Sequence, residues 1–117
     1  MPTSLTDWLG PAAGQLNAEQ LTRVEEEARR IGERYPDPDE QPERDAALSA
    51  VVQYLLGETT PDELARALTA ARLAQARAYA AALAVGVVLV GDGSKKLTAA
   101  NAVGVDRMSL LKALGER

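Results

Sequence analysis

The stretch from Pro61 to Gly91 most limits what this chain can become, because it holds no proline after Pro61 and Gly86 is its one interior glycine. Thr60 is placed to cap a helix there, Pro61 to take the first helical position and Glu63 to close a capping box. Apolar residues then recur at Leu64, Leu68, Ala71, Ala74 or Gln75, Ala78, Ala82 and Val85, the alternation of threes and fours that keeps one helix face apolar. The pattern predicts one helix of nearly thirty residues, or two that meet near the middle. Over 80–90 the sequence is apolar on every side, which calls for burial all round. Val85, Val87, Val88, Leu89 and Val90 would also suit a strand, but a lone strand has no partner in a chain that otherwise reads as helical. A small monomer offers too little cover for such a helix, so a homodimer with this helix near its interface is expected. The uncharged run over 78–91 is shorter than the ~20 residues that span a bilayer, so no membrane partner is expected.

The remainder fits an all-α fold. A helix over 18–34 is capped by Asn17 with Gln20 completing the box, and Leu21, Val24, Ala28, Ile31 and Tyr35 form its apolar stripe. Pro36, Pro38 and Pro42 break the chain over 35–42, as a linker or a long exposed loop. A second helix runs from Pro42 or Glu43 to Leu56, buries Leu48, Val51, Val52, Leu55 and Leu56, and stops at Gly57. Near the amino end a short helical turn over 6–9, anchored by Trp8, precedes an extended stretch. The chain thus divides into an acidic helical region, 1–59, and a second region, 60–117.

Cysteine and histidine are both absent, which removes thiol nucleophiles, disulfides, the usual zinc ligands and the commonest general base near neutral pH. No enzyme activity, metal or cofactor is expected. Glu25, Glu26 and Glu27, like Asp62 and Glu63, are consecutive on helices and point apart. The glycines at 91 and 93 lack the spacing and lysine of a phosphate loop. No basic region followed by an apolar run opens the sequence, so a signal peptide is not expected and the protein reads as cytoplasmic. The net charge of −4 hides an asymmetry: residues 1–63 carry 14 acidic and 5 basic side chains, whereas residues 64–117 carry 3 acidic and 8 basic. A basic segment joined to an acidic one points toward a polyanion.

The residues over 96–114 supply what two short crossed helices require. Ala100 is small enough for a close crossing, Gly104 suits a tight turn, Val105 plugs the core, Asp106 caps the second helix, and Leu110 and Leu114 form its inner face. Leu97 and Val103 complete the small core. The run Ala99-Ala100-x-x-Val103-Gly104-Val105-x-Arg107-x-x-Leu110-x-x-x-Leu114 resembles the C-terminal DNA-binding unit of the Fis type. It is also similar to the terminal domain of serine resolvases and to small plasmid- or phage-borne helix-turn-helix regulators of high-GC bacteria. Leu111 and Ala113 depart from that pattern, which usually places polar or basic residues there, and the resolvase catalytic domain is absent.

The resemblance implies a nucleoid-associated, sequence-specific regulator of double-stranded DNA, a repressor or a mobile-element accessory factor. In helix-turn-helix docking the start of the second helix meets base edges. Arg107 would then contact guanine, with a phosphate clamp or a salt bridge to Asp106 or Asp92 as its other roles. Met108 and Ser109 would face the groove, with Lys112 one turn on. Lys95, Lys96 and Thr98 would reach phosphates at the start of the first helix. The competing expectation is a non-catalytic adaptor or antitoxin-like partner that works through the acidic N-terminal helices.

Overall fold

The computed structural model describes residues 5–116, which are helical with no strand among them. Six α-helices follow one another: α1 (Leu5–Leu9), α2 (Ala18–Arg34), α3 (Gln41–Leu55), α4 (Pro61–Gly91), α5 (Lys96–Val103) and α6 (Arg107–Ala113). Short 3₁₀ helices occupy Gly10–Gln15 and Pro38–Glu40. The chain forms two compact units, one ending at Leu64 and the other beginning at Ala65.

The first unit is built on α2 and α3. Asn17 Oδ1 accepts from the Gln20 amide at 2.8 Å and Gln20 Oε1 accepts from the Asn17 amide at 2.9 Å, the reciprocal cap that starts α2. The Gln20 side chain also donates to the Leu55 carbonyl at 3.0 Å, which ties the start of α2 to the end of α3. Val24, Val52, Leu9 and Leu16 are buried together, with Leu21, Leu48, Leu55 and Leu56 packed against them. Ile31, further along the α2 stripe, is buried as well. The expected anchor Trp8 lies at the surface, and Leu9 is the buried residue of α1. The stretch expected to be extended coils instead into the 3₁₀ turn, because Leu16 must follow Leu9 into the same core.

The proline break is a short pinned loop rather than a free linker. Asp37 and Glu40 cap the 3₁₀ turn reciprocally. The Arg44 guanidinium donates to the Tyr35 carbonyl and, at 2.7 Å, to the Asp37 carbonyl. Carbonyls that proline leaves without helical donors thus find one in α3.

α4 is continuous, with neither the break nor the strand that the sequence left open. Thr60 Oγ1 accepts from the Glu63 amide at 3.2 Å, and the Glu63 carboxylate accepts from the Thr59 hydroxyl at 3.4 Å. The apolar stretch of α4 is not enclosed on all sides. Within the chain only Gly86 is buried, while Val85 and Val88 remain exposed. By length and composition alone α4 is apolar enough to cross a membrane.

The second unit packs α5 and α6 onto the last third of α4. Ala99, Ala100, Val105 and Leu110 form its buried centre, with Leu83, Val87, Val90, Val103 and Leu114 around them. Gly86 lies at a close approach of α4 to the side chains of α5 and α6. A Cβ at that position would stand 3.3 Å from both Leu110 Cδ1 and Val103 Cγ2, a contact that glycine avoids.

Candidate nucleic-acid interface

The connection between α5 and α6 is set by three consecutive residues. Gly104 adopts φ 78°, ψ 23°, the left-handed conformation that side chains disfavour, and its amide bonds the Ala100 carbonyl. The Val105 amide bonds the same carbonyl at 3.0 Å, and the Val105 side chain drops into the core. Asp106 then returns to extended geometry and caps α6, its Oδ1 accepting from the Ser109 amide at 2.8 Å. The Ser109 hydroxyl donates to Asp106 Oδ2 at 2.6 Å. These bonds to the ionised form, the hydroxyl's first, hold the Asp106 carboxyl below the usual carboxylate range.

Core packing decides which way α6 turns. Leu110 is fully buried and Leu114 packs beside it, so residues turned about 200° away, Met108 and Lys112, take the outer side. Met108 is 56% exposed, an uncommon placement for a large apolar side chain, and Lys112 is exposed below it. Arg107, in the first turn of α6, is exposed, and among the described residues its side chain has neither a hydrogen bond nor an ion pair. Asp106 is engaged by Ser109, and among the described residues neither a hydrogen bond nor an ion pair joins Arg107 to Asp92.

Of the residues expected at phosphates, Lys95 at the N-cap of α5 and Thr98 within it are exposed. Lys96 is not free: its Nζ binds the Glu116 carboxylate, joining the start of α5 to the chain beyond α6. Ser109 is half-buried and its hydroxyl donates to Asp106, which supports the cap of α6. Leu97 was expected in the small core and is instead 56% exposed, beside Thr98 on the outer surface of α5. No sequence signal announces the Lys96–Glu116 pair, whose members lie twenty residues apart.

Elsewhere among the described residues no cluster of three or more metal-ligating side chains occurs. A groove of about 660 Å³ opens in the first unit, lined by Ala50, Val51, Tyr54, Leu55 and Leu64, with Arg23 and Glu27 at its edge. No family model, curated protein or solved structure matches this chain.

Proposed function

We propose that the protein is a non-enzymatic, homodimeric, sequence-specific DNA-binding regulator. In this reading α5 and α6 form a helix-turn-helix and α6 enters the major groove. One observation carries the reading: α6, started by the Gly104 turn and the Asp106 cap, holds Arg107, Met108 and Lys112 outward with the guanidinium uncommitted. A guanidinium presents a donor fork that fits the O6/N7 edge of guanine, and Met108 supplies apolar contact for a thymine methyl. Lys95 and Thr98 are exposed to meet the flanking phosphates. The positive balance of residues 64–117 supports the long-range part of the attraction.

The test is a mobility-shift selection on genomic fragments at roughly 100 mM salt, followed by measurement on the selected site. The wild-type chain is expected to prefer one site over competitor DNA, and Arg107→Ala to lose about 1–3 kcal/mol on it. No preference over competitor, with Arg107→Ala unchanged, removes the proposal.

A second reading has its own observation, the groove at Val51, Tyr54 and Leu55 in the acidic unit. As an adaptor the protein would take an apolar segment of a protein partner there. Tyr54→Ala would then abolish capture of that partner, and the chain would show negligible affinity for DNA and heparin.

A further inference from the structure

Most of α4 is exposed. Every residue over 61–81 is exposed, Leu64, Leu68, Leu73 and Tyr79 included, and further along Val88 is 58% exposed. An uncovered apolar surface of that length marks a contact with something else. We infer that a second copy of this chain covers it, α4 against α4, antiparallel about a dyad at Gln75.

The spacing supplies the seam. Leu64, Leu68, Ala71, Gln75, Ala78, Ala82 and Val85 recur in steps of four and three, the heptad pattern of paired helices, with one polar residue at its centre. At the dyad Gln75 meets its own copy, and each amide offers the donor and acceptor that the other needs.

Side-chain size sets the direction. Antiparallel pairing about Gln75 brings Tyr79 opposite Ala71 and Leu68 opposite Ala82, a large side chain against a small one at both levels. Parallel pairing would set leucine on leucine at one end and alanine on alanine at the other, so the helices could not close evenly along the seam.

Charge agrees with size. α4 begins at Asp62 and Glu63, holds only arginines (Arg66, Arg72 and Arg77) up to Gly91, and leads through Asp92 to Lys95 and Lys96. Antiparallel copies hold the two acidic starts apart and oppose the helix dipoles, whereas parallel copies stack like on like.

The spacing of the two DNA-binding units agrees too, a point that rests on the reading proposed above. Gly86, where α5 and α6 are seated, lies 11 residues from Gln75. At a rise of about 1.5 Å per residue the two seats stand roughly 33 Å apart along the pair, close to the ~34 Å of one duplex turn. A lipid bilayer is the poorer occupant: Arg77 sits among the apolar residues, and α5 and α6 already pack against Leu83, Val87 and Val90.

The chain has no cysteine, so introduced thiols report neighbours cleanly. In the antiparallel pair, positions 71 of the two copies lie roughly 12 Å apart along the axis, beyond disulfide reach, whereas 71 and 79 are adjacent. The full chain without DNA is expected to sediment at twice its 12.4 kDa mass. Ala71→Cys and Tyr79→Cys should each fail to cross-link alone and form a disulfide dimer when mixed. Leu68→Glu, altering an exposed side chain, should be a monomer with unchanged helix content. A monomeric wild-type chain overturns the inference, as does self-cross-linking of Ala71→Cys alone. Flotation with phosphatidylcholine–phosphatidylglycerol vesicles in place of dimer formation also overturns it. Because the dimer is read without DNA, an intact dimer that ignores DNA would sink the functional reading and leave this one standing.

Discussion

Leu110→Ala is the sharpest test of how the second unit is held together. Leu110 has no exposed surface, is one of the two largest fully buried side chains among the described residues, and reaches the Gly86 notch on α4. Truncation loses the transfer free energy of the removed carbons and leaves a cavity, together about 2–5 kcal/mol in well-packed cores. The other buried members of this core are Ala99, Ala100 and Val105, and the facing position is glycine. None has a long side chain to swing into the gap, so at least the middle of the range, about 3–4 kcal/mol, is expected. A unit of about 50 residues has about 3–8 kcal/mol in total at 0.05–0.15 kcal/mol per residue, so the variant should lose about half of it or more. Urea unfolding separates the two units, because the sole tryptophan, Trp8, belongs to the first. Far-UV circular dichroism should show an early helical loss in Leu110→Ala while the Trp8 fluorescence transition stays in place. A destabilisation under about 1 kcal/mol, or a Trp8 transition that moves as far as the helical one, would refute the packing argument.

Asp106→Ala should lower the thermal midpoint of the second unit by removing the cap on α6. The Asp106 carboxyl titrates below its ordinary range in the folded chain, so the cap contributes fully above that range and is lost as the pH falls through the folded value. Acid titration of wild type, monitored by circular dichroism, should therefore show a limb that Asp106→Ala lacks. Gly104→Ala places a Cβ at φ 78° and should cost about 1–2 kcal/mol in urea unfolding. Lys95→Ala should weaken binding to all DNA sequences alike and reduce the salt-dependence slope by about 1, read from affinities across a salt series.

Local chemistry made several elements legible before any coordinates. Asn17 with Gln20, Thr60 before Pro61, and Asp106 after Gly104 each mark a helix start by hydrogen bonds to residues three positions away, and the structure contains those bonds. The absence of breakers allowed α4 its full length without deciding against a split near the middle, and Gly86 is tolerated because Leu110 and Val103 need the space. What the sequence concealed depends on distant partners. Arg44 reads as one more solvated charge until the chain folds back and sets the Tyr35 and Asp37 carbonyls within its reach. Leu97 looks like core by its type alone, but the alanine pair beside it takes the inner side of α5. Lys96 resembles Lys95 in sequence and differs only because Glu116 returns to it. The bond from the Ser109 hydroxyl to Asp106 likewise appears only once the cap has formed.

The two buried clusters share no residue: one draws on the chain between Leu5 and Leu56, the other between Ala82 and Leu114. Repacking mutations in the two cores act on separate sets of side chains, and their effects are expected to add. Such a chain is modular in inheritance. The core of one unit could be exchanged or re-surfaced without the side chains of the other core having to be rebuilt.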